Sequence, residues 1–247
     1  MLNTLGIVEV RRDGGHNWGI DRKLGGKSIL EWIVRRATEC QRLDAVVVLC
    51  SDGDDALVRT LVPPDVEVLS AGNRDPLAAT VAVCKRLAAR ALVHISADNP
   101  FLDPVLIDRL VSTADAHPSC DYIGYCLGDG RPAILTHLGV LAEWCSVAAL
   151  QRAAKAATAV GERCPVTAYL YGHPEQFSVR LLPLPAELDR EDVRFRINGE
   201  EDWEHAQVIY EALGHEDWDW RRVTELLHSQ PALRNRMADL NRAALPA

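Results

Sequence analysis

Asp98 closes an apolar run, Ala91-Leu92-Val93-His94-Ile95, and stands in the stretch Ser96-Ala97-Asp98-Asn99-Pro100 ahead of Asp103-Pro104. An apolar run that breaks into small and polar residues reads as a buried strand ending in a loop. In open α/β sheets, ligands occupy the crevice beyond the carboxyl ends of such strands. A carboxylate delivered there suits a hard divalent cation, which takes carboxylate oxygens together with substrate phosphates. Asp103 has a different duty, because an aspartate directly before a proline reads as a helix cap.

A second group follows the first apolar run, Leu5 to Val10. Between Arg11 and Lys27 the chain carries Arg11, Arg12, Arg22, Lys23 and Lys27 among glycines that include Gly14 and Gly15. Close backbone amides and cationic side chains are what a triphosphate requires. Arg11, Arg12, Gly14, Gly15, Lys23, Lys27 and the strand-end Ser96 are the candidate nucleotide contacts, with a solvated loop as the plain alternative. Gly25-Gly26-Lys27-Ser28 resembles the end of a P-loop, but that motif needs glycine where this chain has Asp21. A third group, Asn198 with Glu200, Glu201 and Asp202, ends the short apolar run Arg194-Phe195-Arg196-Ile197. Its acidic residues suit the first turn of a helix.

These groups need a scaffold, and the pattern supplies one. Ala45 to Cys50 has the β-branched density of a buried parallel strand, and Val66 to Leu69 reads as another. Helices are expected from Ser28-Ile29-Leu30-Glu31, a capping box whose glutamate reaches back, and from Asp75-Pro76 to about Arg90. Strand and helix alternation predicts a mostly parallel sheet covered on both faces. In the second half, helices are expected from Pro104 to about Ala116, over Val147 to Val160 and from Glu201 to Leu213. Strands are expected at Asp121 to Tyr125, at Arg194 to Ile197, and at Phe177 to Leu184, where Pro183 and Pro185 confine the last to an edge or an end. Two charged helices, Asp219 to Leu227 and Ala232 to Asn241, form a C-terminal extension.

The chain has 247 residues, enough for one large domain with an appendage. Its net charge of −8 argues against a general nucleic-acid binder. Seven cysteines, an odd count without a C-x-x-C pair, read as buried thiols of a reducing compartment. No apolar run approaches the roughly 20 residues that cross a membrane. The expectation is a soluble cytoplasmic protein without nucleic-acid or membrane partners.

Taken together, these blocks resemble the cytidylyltransferases related to the spore-coat polysaccharide biosynthesis protein F, a group that includes CMP-Kdo and CMP-sialic acid synthetases. The resemblance runs through Ile95 to Pro104 with Leu106-Ile107-Asp108, Gly139 to Leu150 with Glu143, and Val166-Thr167-Ala168-Tyr169. It continues through Gly172 to Phe177, Arg196 to Asp202, and the tail from Gln230 to Asn241. It implies an α/β three-layer sandwich of the nucleotide-diphospho-sugar transferase fold, like that of A-type glycosyltransferases. Residues 1–215 would form that domain and residues 216–247 the extension packed on it. It also implies transfer of a cytidylyl group from CTP, or another NTP, to a sugar, sugar acid or sugar phosphate in surface polysaccharide or glycan biosynthesis. Mg2+ would bind at Asp98 and at position 198. Glu143, Thr167 and Tyr169 would meet the acceptor. A homodimer is an expectation carried by the resemblance alone.

Three departures accompany the likeness. The family's first loop carries Gly-x-Ser-x-Arg-x-Pro-Gly-Lys, whereas Asp13 to Ile20 holds no arginine or lysine. Arg11, Arg12 or Lys23 would then substitute for the lost cations, and Asp98, Arg11 and Lys23 are the expected catalytic residues. The second metal aspartate is Asn198, a neutral amide, and Arg163-Cys164-Pro165 replaces an Arg-Glu-His segment. The alternative expectation is a catalytically impaired homologue that binds a nucleotide or a partner protein in a regulatory role.

Overall fold

The computed structural model describes residues 2–11, 19–51, 53–72, 75–214 and 218–244. β1 (Leu2–Val10) is followed by a small antiparallel hairpin, β2 (Lys23–Leu24) and β3 (Lys27–Ser28), and by α1 (Ile29–Thr38). Then β4 (Ala45–Cys50), α2 (Asp55–Leu61), β5 (Glu67–Ser70), α3 (Pro76–Arg86) and β6 (Ala89–Ser96) alternate. The second half contains α4 (Pro104–Ala116), β7 (Tyr122–Cys126), a 3-10 turn at Ala133–Leu135, β8 (Glu143–Ser146) and α5 (Val147–Ala156). After α6 (Val160–Arg163), α7 (Ala168–Gly172) and β9 (Val179–Pro183) come three helices, α8 (Glu200–Leu213), α9 (Trp220–Ser229) and α10 (Pro231–Ala243).

Among the described residues, seven strands form one sheet in the order β5-β4-β1-β6-β8-β7-β9. β8 runs antiparallel to both its neighbours, and the other pairings are parallel. This is the mostly parallel α/β sandwich expected from the alternating pattern. Strand residues alternate between two buried cores, as period-2 geometry requires. Val8, Val48, Val93 and Ile95 join the core under α1, α4 and the C-terminal helices. Leu5, Ile7, Val47, Leu49 and Leu92 join the core under α3, α5 and α7.

Several local expectations hold. Asp103 caps α4 by accepting from the Val105 and Leu106 amides at 2.9 and 3.2 Å. Its other oxygen accepts from the Trp220 amide at 3.1 Å, so one carboxylate ties α4 to α9. Trp218, ahead of α9, packs its ring 4.5 Å from Trp32 and 5.1 Å from Phe101. β9 is an edge strand, as its prolines require.

Other expectations need correction. Ser28 caps α1, but Glu31 bonds to Arg35 and does not reach back. The helix begun at Val147 stops at Ala156. Arg194–Ile197 is not a strand. Its amides go singly to loop carbonyls, Phe195 and Arg196 to His137 at 3.1 Å and Ile197 to Asp98 at 2.9 Å.

Candidate functional site

On one face of the sheet, apolar residues give way to polar ones toward the carboxyl ends of the central strands. β1 presents Leu5, Ile7 and then Glu9, and β6 presents Leu92, His94 and then Ser96, on the face that β8 reaches with Glu143. The next residue in the β1 series is Arg11. A cavity of about 150 Å³ opens there, lined by Glu9, Arg11, His94, Ser96, Glu143 and Arg196, together with Cys164 and Tyr171.

The floor of this cavity is a buried charge network. His94 Nε2 lies 2.7 Å from Glu9 Oε2, and its Nδ1 lies 3.5 Å from Glu143 Oε2. Tyr122 donates its hydroxyl to Glu143 Oε1 at 2.6 Å, and Thr167 Oγ1 lies 2.8 Å from both oxygens. Burial opposes a charged imidazole, but bonds to Glu143 and Glu9 outweigh it and raise the His94 pKa to about 10. Burial and the adjacent Glu143 charge push the Tyr122 hydroxyl well above its usual range, so it remains a donor. Buried carboxylates survive only when so satisfied. Residue type alone does not mark Glu9 and His94, but the polar end of each strand's period-2 pattern does.

The rim belongs to Asp98 and Arg196. Asp98 is 2% exposed, and its Oδ2 accepts from Arg196 Nε at 2.7 Å. Its Oδ1 is buried without a hydrogen-bond partner among the described residues. Arg196 Nη2 reaches toward Ser96 Oγ at 3.5 Å. Arg11 also lines the cavity and contacts Cys164 Sγ through Nη1.

Asn198 comes near Asp98 along the chain, through the Ile197 amide on the Asp98 carbonyl, but its side chain is exposed and faces His137 Nδ1 at 3.2 Å. Burial, with Arg194 and Arg196 nearby, lowers the His137 pKa to about 4. A divalent ion such as Mg2+ needs several free oxygens at about 2.0–2.1 Å in octahedral array. Asp98 has one oxygen bonded to a guanidinium and one enclosed, and Asn198 points elsewhere. Among the described residues, no cluster of three or more His, Cys, Asp or Glu is placed to hold a metal ion. As arranged, these residues do not fit the two-residue metal site expected of them.

The remaining candidates divide. Lys23 is exposed on β2, and Lys27 lies over the Trp32 ring at 4.7 Å; neither lines the cavity. Arg12, Gly14 and Gly15 lie outside the described residues. Glu143 and Thr167 meet inside the network. Tyr169 does not reach it, because its ring is buried against His173 at 3.9 Å and Phe177 at 5.9 Å. Asp202, in the acidic first turn of α8, is bound by Arg194 Nε at 2.6 Å and by the Asn198 amide at 2.9 Å. It pins the 194–198 segment, and with it Arg196.

A larger cavity of about 600 Å³ begins at Leu135, which lines both, and extends past Arg131, His137, Arg190 and Asn241.

Comparison with known proteins agrees with this architecture. The chain is 25% identical over 250 residues to the spore coat polysaccharide biosynthesis protein SpsF of Bacillus subtilis, covering 97% of this chain and all of that one. A cytidylyltransferase from Leptospira borgpetersenii superposes with a TM-score of 0.81 at 18% identity, covering 94% of this chain and 97% of the other. A CMP-2-keto-3-deoxy-manno-octonic acid synthetase complexed with CTP superposes with a TM-score of 0.58 at 12% identity, covering 74% and 90%. Residues 20–204 match the family described as the MobA-like NTP transferase domain, and the chain belongs to that family.

Proposed function

We propose that this protein transfers a nucleotidyl group, cytidylyl from CTP, to a sugar, sugar acid or sugar phosphate and releases pyrophosphate. The observation that carries this reading is the convergence of Arg11, Ser96 and Arg196 on one cavity at the carboxyl ends of β1 and β6. Membership of an NTP transferase family supports the reaction class. The CTP-bound synthetase of the same fold supports the nucleotide, and the named role of the Bacillus relative supports polysaccharide or glycan biosynthesis.

In this reading the guanidinium groups of Arg11 and Arg196 donate charge-assisted hydrogen bonds to the phosphates. An acceptor oxygen attacks the α-phosphorus, giving its proton to solvent where it is a hydroxyl. The bond from the α-phosphorus to the oxygen bridging to the β-phosphate breaks, and pyrophosphate leaves with that oxygen and with its charge facing the arginines. Phosphoryl chemistry of this kind asks the protein mainly for positioning and charge stabilisation. The His94 clamp holds Glu9 and Glu143 rigidly beneath. The larger cavity, polar on its His137 and Asn241 side, is the place for the acceptor, and its volume suits a small molecule.

The Asp98–Arg196 pair favours a second reading, in which the site binds nucleotide but turns it over poorly or not at all. Pyrophosphate release, measured with each of the four NTPs against a panel of sugars, sugar acids and sugar phosphates, separates the two. Release with CTP and an acceptor supports transfer. Binding of CTP with no release on any pair supports the second reading, and no binding of any NTP contradicts both.

A further inference from the structure

We propose that Arg196 stands in for the divalent ion at Asp98, so that the cavity holds the phosphates of its nucleotide without a metal. The inference rests on the nucleotide reading above and names how that same site recognises its ligand. A cation at Asp98 has two tasks, to neutralise a carboxylate that would repel phosphate and to offer it positive charge. Arg196 meets both. Its Nε takes Asp98 Oδ2 at 2.7 Å and its Nη2 lies 3.5 Å from Ser96 Oγ, on a side chain that is 25% exposed and lines the cavity beside Arg11. A guanidinium carries five N–H donors in a planar fork that matches phosphate geometry.

Arg196 is also held in place from its backbone. Its amide and that of Phe195 both bond to the His137 carbonyl at 3.1 Å, and Ile197 bonds to the Asp98 carbonyl at 2.9 Å. Gly139 lets this segment approach, because a Cβ there would overlap the Arg196 backbone nitrogen. The acidic side of the cavity is treated likewise. His94 lies between Glu9 and Glu143 and offsets one of their two charges from inside the protein. Asn198 adds no second carboxylate and is committed to His137. Among the described residues, side-chain cations thus face the carboxylates of the cleft, and at Asp98 one oxygen is bonded to Arg196 and the other is enclosed.

The test is calorimetric titration of CTP, and separately of inorganic pyrophosphate, into the full chain in EDTA and in excess Mg2+. The expected result is affinity in EDTA within about twofold of that in Mg2+. Arg196→Gln should weaken binding in EDTA by about tenfold or more, as expected for loss of charge-assisted bonds. Mg2+ should then restore part of it, because Asp98 is released. Arg196→Lys, which keeps the charge but loses the fork, should fall between. Binding by the wild type that requires Mg2+, or that is absent for both ligands in EDTA, overturns the inference, and these results need no variant to fold. Metal-free binding of pyrophosphate with no binding of CTP in either condition leaves the anion site standing and overturns the CTP reading instead.

Discussion

Arg196 donates to Asp98 across 98 residues of sequence, at 2.7 Å, and thereby closes the carboxylate that the strand-end position offers to a cation. The pair joins the turn after β6 to the loop before α8, the two segments that flank the cleft. Everything that fixes this loop therefore bears on the site.

The first such element is the Arg194–Asp202 pair, 7% and 4% exposed at the side chain. Removing one partner of a buried ion pair leaves an uncompensated charge and costs about 3–5 kcal/mol. Asp202→Asn is expected to lose stability in that range in chemical denaturation. A loss near zero would mean that α8 does not depend on this pair to hold the loop.

Gly139 is the second. Its φ of +69° is one that side-chain-bearing residues rarely adopt, and a Cβ would collide with backbone rather than with a flexible side chain. Gly139→Ala is expected to destabilise by more than about 1 kcal/mol. It should also weaken nucleotide binding, since the collision is with Arg196 itself. Unchanged affinity in a folded Gly139→Ala variant would separate the loop's position from ligand recognition.

The charged His94 gives the fold a pH dependence. Its folded pKa of about 10 lies above the ordinary value of 6.5, so its contribution is complete below about pH 6.5 and is lost as pH rises through about 10. Between those limits wild-type stability should fall relative to His94→Gln, with a slope of at most about 1.4 kcal/mol per pH unit. Parallel stability curves for the two proteins from pH 7 to 10 would show that the imidazole is not charged in the fold.

Asn198→Asp offers a contrast. A carboxylate facing His137 should raise that ring's pKa from about 4, a change read by NMR titration. It should not create a metal requirement for binding, because Arg196 still covers Asp98. A Mg2+-dependent gain in affinity in this variant would assign Asn198 to the metal position after all.

Much of the scaffold was legible because its signals are local. Val46-Val47-Val48, the caps at Ser28, Asp75 and Asp103, and the prolines of β9 each act within a few residues. β8 escaped because Glu143-Trp144-Cys145-Ser146 lacks β-branched residues and is set by its place between β6 and β7. Arg194 to Ile197 has the composition of a strand, but its amides find loop carbonyls instead of a ladder. For the site, the strand-end position of Asp98 could be read, but its partner could not. The Glu9–His94 contact spans 85 residues and depends on β1 and β6 being neighbours in this register. Tyr169 shows the opposite error, since a residue in a family-like block fills the core.

Nucleotidyl transfer is tested most directly by following label from CTP carrying it at either the α or the γ phosphate, in the presence of an acceptor panel. The expected result is α-label in a new sugar nucleotide and γ-label in free pyrophosphate, with both reduced in Arg196→Gln when metal is absent. Retention of both labels in unreacted CTP with every acceptor, by protein that binds CTP, would contradict transfer and leave a nucleotide-binding relative in its place.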